Sequence, residues 1–192
     1  MPYEAIVIGT SAGGLNALQE IFRNLDKKFS IPIMVVQHLH AQSDNYLVKV
    51  LDALSALTVK EAEEKERIKK GTIYFAPPNY HLLVEEDRTL SLSTDNKVNY
   101  CRPSIDVLFE SAVEVYQHGL IGMILTGAND DGTQGMIKIK EKGGLLIVED
   151  PKTAEVASMP MSVINQVDVQ YVLPVREIAP LLQKINDHNE SY

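Results

Sequence analysis

Apolar and polar positions along this chain fall into two patterns that take turns. Short continuous apolar runs, such as Ala5 to Ile8, Ile31 to Val36 and Leu120 to Leu125, predict strands buried on both faces. Between them, apolar residues recur every three or four positions, as Leu15, Leu18 and Ile21 do, which predicts helices with one packed face. In chain order the pattern gives a first strand ending at Gly9, a helix from about Gly14 to Leu25 and a strand from Ile31 to Gln37. A helix from about Asp44 to Leu54 follows, with Ser43 as its N-cap, and then a short strand from Leu57 to Glu61. The middle differs. Thr72 to Ala76 is a strand stopped by Pro77-Pro78, and His81 to Val84 and Thr89 to Ser93 flank Glu86-Asp87-Arg88 as a hairpin. Ser104 then caps a helix to about His118, Leu120 to Thr126 is a strand, and Gly132 to Lys142 is a helix closed by Gly143-Gly144. The rest reads as strand (Leu145 to Glu149), short helix (Pro160 to Asn165), strand (Val169 to Leu173) and final amphipathic helix (Arg176 to Ile185).

This alternation implies an α/β fold. The expected sheet is doubly wound and mostly parallel, with helices on both faces and a small antiparallel hairpin excursion. No internal repeat or long linker interrupts it, so residues 1–192 are expected to form one domain. Such sheets place their sites at the carboxyl ends of the strands.

Charge and cysteine content narrow the function. The net charge is −8, which argues against nucleic acid or an anionic membrane surface as the main partner. The single cysteine, Cys101, can form no intramolecular disulfide and fits a reducing compartment. Nothing beside it in the sequence marks it as an activated nucleophile. No secretory signal is visible and no apolar run approaches the ~20 residues that span a bilayer, so a cytoplasmic protein is expected.

Candidate chemistry starts at the first strand end. Gly9-Thr10-Ser11-Ala12-Gly13 fits G-x-S-x-G, in which a serine sits on a sharp strand-to-helix turn. The amides of the first helical turn point into the same space and can receive a developing oxyanion. The competing reading is a phosphate-cradling loop, although Ser11 stands where the dinucleotide fingerprint needs its second glycine. Two further strand ends carry His38 and the pair Asp130-Asp131. A serine needs a base, and the base needs a carboxylate to hold its tautomer, so the three can form a triad. Each also has a structural reading: histidines at strand ends are often scaffold residues, and Asp-Asp-Gly before a helix is common capping chemistry. A metal site built on His38, His40, Asp130 and Asp131 is a further alternative.

Several stretches together resemble the catalytic domain of the CheB family of chemotaxis receptor protein-glutamate methylesterases. They are Ile8-Gly9-Thr10-Ser11-Ala12-Gly13-Gly14, Gln37-His38, Tyr74-Phe75-Ala76-Pro77 with His81, Arg102-Pro103-Ser104-Ile105-Asp106-Val107-Leu108-Phe109, and Leu125-Thr126-Gly127 through Asp131-Gly132 to Gly135-Met136. The resemblance implies a serine esterase that hydrolyses glutamate γ-methyl esters on methyl-accepting receptors, releases methanol, also deamidates receptor glutamines, and needs no metal or organic cofactor. It implies Ser11 as nucleophile, His38 as base and Asp131 as orienting carboxylate, with Asp130 adjacent. Amides near Ala12, Gly13 and Ala128 are implied as the oxyanion hole. Arg102 and Tyr74 are expected at the substrate rim, and His40, where many members carry proline, beside the base. The receiver domain that many members carry ahead of the esterase is not expected in these residues. Activity is expected to rise as the imidazole loses its proton with a pKa of roughly 6–7. The alternatives are a non-catalytic phosphate- or nucleotide-binding module, or a triad hydrolase for another acyl substrate.

Overall fold

The computed structural model describes residues 2–38 and 45–189. Its strands are β1 (Ala5–Thr10), β2 (Ile33–Gln37), β3 (Thr58–Glu61), β4 (Thr72–Phe75), β5 (His81–Val84), β6 (Leu90–Ser93), β7 (Leu120–Ile124), β8 (Leu145–Glu149) and β9 (Tyr171–Leu173). Its helices are α1 (Gly14–Arg23), α2 (Tyr46–Leu54), α3 (Ile105–Tyr116), α4 (Thr133–Glu141), α5 (Ser158–Ile164) and α6 (Val175–Asn189). Seven strands form one parallel sheet in the order β3-β4-β2-β1-β7-β8-β9. The other two, β5 and β6, make a separate antiparallel hairpin. This is the doubly wound architecture with its hairpin excursion that the apolar pattern implies.

The strands are apolar throughout because both sheet faces are covered, and their side chains alternate between two cores. Ile6, Ile8, Ile33, Val35, Ile121, Met123 and Ile147 meet Leu18, Phe22, Leu51, Ile178 and Leu182 of α1, α2 and α6. Ala5, Val7, Met34, Val36, Leu120, Ile124, Leu146 and Val148 meet Leu108, Phe109, Met136, Ile139 and Met159 of α3, α4 and α5. The chain leaves β1 for β2 through α1 on the first face, whereas β7 leads to β8 through α4 on the second. The carboxyl ends of β1 and β7 therefore border a topological switch point, where doubly wound sheets open a crevice.

Element boundaries move for identifiable reasons. β2 starts at Ile33, because Pro32 has no N–H for the ladder, although its carbonyl accepts from Ile6. α6 continues four residues beyond Ile185 because its packed face includes a polar residue. Asn186 is fully buried, and its Oδ1 accepts from the Ser30 amide at 2.9 Å, so an apolar period alone ends too soon. The Ser43 N-cap expected for α2 lies outside the described residues, and the helix begins at Tyr46.

Tyr74 overturns one expectation. The resemblance puts it at the substrate rim, but it is fully buried in the core that the hairpin covers. Its hydroxyl accepts from the Lys69 amide at 3.0 Å and lies 3.4 Å from the Arg67 carbonyl. The reason is strand alternation: Ile73 and Phe75 face one core, so Tyr74 must face the other.

Gly132 ends the β7–α4 loop at φ +97°, and a Cβ there would lie 2.6 Å from Ile105 and 2.7 Å from Ile124. Gly132→Ala is expected to destabilise the protein by at least about 2 kcal/mol, from left-handed strain plus overpacking. Urea denaturation of the two proteins checks this.

Candidate active site

Three strand ends are held level by an extension of the sheet ladder. The Leu125 amide donates to Gly9, the Ser11 amide to Thr126 and the His38 amide to Thr10, each at 3.0 Å. Ser11 and His38 therefore follow the paired residues Thr10 and Gln37 side by side. The serine turn closes through a Gly14 N–H bond to the Ser11 carbonyl, with Gly13 at φ +81° and ψ −5°. That is the third-residue conformation of a type II turn, which strongly favours glycine. Further straps hold the turn. Gln37 Nε2 donates to the carbonyls of Ser11 (2.8 Å) and His38 (3.0 Å). Thr10 Oγ1 donates to the Thr126 carbonyl, and Thr126 Oγ1 to the Ala12 carbonyl, both at 2.8 Å.

Ser11 is half-buried at the mouth of this turn, and Ala12 and Ala128 are exposed. Among the described residues the amides of Ala12, Gly13 and Ala128 make no hydrogen bond within the protein. They are free donors, the first two in the serine turn and the third in the loop after β7.

The base and carboxylate meet. His38 Nε2 lies 2.9 Å from Asp131 Oδ2. Asp131 is fully buried, whereas Asp130 is exposed, so the geometry separates the adjacent pair. The Asp131 carboxylate sits in the first turn of α3. Its Oδ2 also accepts from the Ile105 amide at 2.7 Å. Its Oδ1 accepts from Ser104 Oγ (2.9 Å), the Asp106 amide (3.2 Å) and Asn99 Nδ2 (3.3 Å). Burial by itself raises the Asp131 pKa, but the His38 hydrogen bond, the helix amide and Ser104 outweigh it and hold the group below its ordinary value. Asp131 stays ionised at neutral pH.

His38 responds in the opposite sense. Burial by itself lowers its pKa, but hydrogen bonding to Asp131 and to Cys101, together with the negative charge of Asp131, raises it to about 9. The expectation of a pKa near 6–7 therefore moves upward. With Nε2 committed to Asp131, Nδ1 is the nitrogen left for chemistry. It faces Asn129 Nδ2 at 3.3 Å and Cys101 Sγ at 3.9 Å. Among the described residues no hydrogen bond joins it to the Ser11 hydroxyl. Catalytic hydrogen bonds commonly tighten only when substrate binds.

Ser104 is the other serine touching this network, but it is fully buried and bonded to the carboxylate rather than to the imidazole. It positions Asp131 and caps α3. Arg102 lines a cavity of about 140 Å³ with His38, Lys97, Tyr100 and Cys101. Its guanidinium is engaged with Asn79 Oδ1 and the carbonyls of Thr94 and Asp95, so it pins two loops together at the cavity wall.

His40 of the four-residue metal set lies outside the described residues, and Asp130 is exposed. His38, Cys101 and Asp131 form a different set, with ligand atoms within 4.8 Å of one another. Asp131 already accepts from five donors, so a cation there would have His38 and Cys101 as its uncommitted ligands.

Sequence reading missed Cys101, Asn129, Asn99 and Ser104 as neighbours of the triad positions, and Gln37 as the strap. Ser104 and Cys101 flank the recognisable Arg102-Pro103 pair, which was the available signal. The two asparagines carried none.

Comparison with known proteins gives a consistent result. The family model for the CheB methylesterase matches residues 6–182. A Leptospira interrogans relative (strain Fiocruz L1-130), provisionally named a protein-glutamate methylesterase/protein-glutamine glutaminase, is 56% identical over 189 residues, covering 98% of each chain. A Thermotoga maritima protein-glutamate methylesterase/protein-glutamine glutaminase is 42% identical over 176 residues, 90% of this chain and 51% of that protein. This chain thus spans about half the length of the Thermotoga relative. The crystal structure of the Thermotoga maritima CheB methylesterase catalytic domain superposes with a TM-score of 0.92 at 40% identity, covering 96% of this chain and 100% of that one. The match over nearly the whole chain, in sequence and in fold, settles the lineage: this chain is a member of the CheB methylesterase family.

Proposed function

We propose that this chain is a protein-glutamate methylesterase that hydrolyses γ-methyl esters of glutamyl side chains on methyl-accepting chemotaxis receptors. The observation that carries the reading is the buried His38–Asp131 pair beside the Ser11 turn, in a chain of this family. Ser11 Oγ attacks the ester carbonyl while His38 Nδ1 takes its proton. The free amides of Ala12, Gly13 and Ala128 receive the oxyanion. The imidazolium returns the proton to the departing methoxide, and methanol leaves. Water, deprotonated by the same nitrogen, then attacks the acyl-serine, and the glutamate carboxylate is released. A glutamine side chain follows the same route with ammonia as leaving group, in line with the double name of the relatives.

Asp131 keeps its negative charge throughout, so it stabilises the imidazolium and fixes the ring with Nδ1 outward. Arg102 and Lys97 make the cavity wall positive where each turnover forms a new carboxylate. We place residues 1–192 together as one catalytic unit. Among the described residues no helix is long and apolar enough to cross a membrane. A cytoplasmic location fits both the lone cysteine and a substrate segment on the inner side of a receptor.

Ser11→Ala tests the nucleophile. Methanol release from a methylated receptor should fall by up to about 10⁶ in kcat with an unchanged circular dichroism spectrum. Full activity in that variant would remove Ser11 from the nucleophile role.

The two aspartates should separate sharply. Asp131→Asn should lower kcat on a soluble ester by up to about 10⁴, and also lower the melting temperature, because an amide cannot accept from all five donors. Asp130→Asn should leave both within a small factor. Similar kcat losses in the two variants would remove Asp131 from its role.

The pH profile has a definite sign. The base must be neutral to act, and its pKa lies above the ordinary 6.5, at about 9. The acidic limb of kcat/KM on a soluble ester should therefore have its midpoint above pH 7 and towards 9. Cys101→Ala removes one of the raising contacts and should shift that midpoint down. A wild-type midpoint at 6.5 with no shift in the variant would contradict this electrostatic account.

A further inference from the structure

Asn99 and Tyr100 are the two central residues of a tight turn. It is closed by a Cys101 amide bond to the Val98 carbonyl at 2.8 Å and a Val98 amide bond to the Cys101 carbonyl at 3.1 Å. Both central residues have positive φ, 49° and 63°. Consecutive positive φ values define the type I′ turn, whose positions favour asparagine and glycine. Asn99 meets that demand, but a bulky residue in the left-handed region is an outlier. Packing does not compensate, because Tyr100 is 96% exposed, the most exposed large hydrophobic side chain among the described residues.

The turn is clamped where strain can be sustained. Asn99 Nδ2 donates to Asp106 Oδ2 at 2.9 Å and to Asp131 Oδ1 at 3.3 Å. On the other side Cys101 Sγ touches the His38 ring. The two flanks of Tyr100 thus grip the carboxylate and the base, and Tyr100 lines the same cavity as His38, Lys97 and Arg102. A strained conformation held against the reacting groups, presenting an aromatic ring to solvent, points to something outside the chain that the ring meets.

We propose that Tyr100 is a substrate-docking residue. Its ring packs on an aliphatic side chain of the receptor polypeptide beside the glutamyl ester, while Lys97 and Arg102 face carboxylates of that polypeptide. The inference rests on the methylesterase reading above. Tyrosine suits the task because its rigid ring offers a large apolar area with little rotamer freedom to lose. The backbone strain is retained in the free protein because the contact that uses the ring forms only in the complex.

The test compares a methylated receptor with a small soluble ester, for wild type and for Tyr100→Phe, Tyr100→Ala and Tyr100→Gly, reading methanol release and melting temperature. Removing the ring in the alanine and glycine variants should raise KM for the receptor about tenfold, the size of a modest interface hot spot. Receptor kcat should stay within about twofold, so the ratio of receptor to small-ester kcat/KM should fall about tenfold. Tyr100→Phe should keep the wild-type KM. Tyr100→Gly should melt higher than wild type, since glycine relieves the positive φ. An unchanged receptor KM in the alanine and glycine variants would overturn the proposal. So would equal losses on both substrates, which would mean a distorted site rather than a lost contact. A wild-type protein that releases no methanol from the receptor would instead overturn the methylesterase reading.

Discussion

A buried carboxylate in the first turn of a helix is the interaction on which this site depends. Asp131 has no exposed surface, and an isolated charge at such a position costs several kcal/mol. The N-terminus of α3, for its part, has amides with no partner inside the helix. Each solves the other's problem. The amides of Ile105 and Asp106 meet the two carboxylate oxygens, and the helix dipole favours the negative charge. The position of Asp131 is thereby fixed by how α3 packs, through Leu108, Phe109 and Ala112, on the sheet. His38 inherits that precision through a single 2.9 Å contact.

The sheet supplies the other half of the alignment. Ser11, His38 and Thr126 are joined by backbone hydrogen bonds that continue the β1–β2 and β1–β7 ladders past the last strand residues. These residues lie at the switch point, where the helices leave for opposite faces and free the space above the strand ends. Side chains then finish what the backbone begins. Gln37 straps the serine turn to the histidine strand, and Thr126 links the turn to the β7 loop and to buried Glu149. Precision at the nucleophile and oxyanion positions comes from backbone geometry, which is stiffer than any surface side chain.

Local rules made the strands, the helices, the G-x-S-x-G turn and the three strand-end residues legible in the sequence, because each rests on a short-range signal. Continuous apolar runs marked β1, β2 and β7, and a glycine-rich strand-to-helix turn around a serine marked the elbow. Strand alternation also excludes Tyr74 from the rim, once its neighbours Ile73 and Phe75 are assigned to the opposite core. What stayed illegible are contacts between residues far apart that carry no pattern. Asn99 reaches Asp131 across 32 positions, and Asn129 reaches His38 across 91. Cys101 carried no signal because the ring it touches, His38, is 63 positions away. The choice between Asp130 and Asp131 was equally closed to spacing. One residue's difference in the loop turns one carboxylate to solvent and the other into the end of α3.

Holding the base this firmly has a chemical consequence. The ion pair with Asp131 and the thiol contact that orient the imidazole also stabilise its protonated form, to a pKa of about 9. At pH 7 a group with that pKa is neutral in about one molecule in a hundred. A looser pair would leave more neutral base but would no longer hold Nδ1 towards the serine turn. The same Asp131 charge that disfavours the starting state favours the imidazolium formed as Ser11 loses its proton, so part of the loss returns in the transition state. The balance is struck by geometry rather than by residue type. Asp106, the second residue of α3 and a sharer of the Asn99 amide, is pushed up to about 6 mainly by burial, while Asp131 is held down by what it touches. Two buried aspartates on one asparagine thus end with their proton affinities driven apart, and the more acidic of the two is the one that faces the histidine.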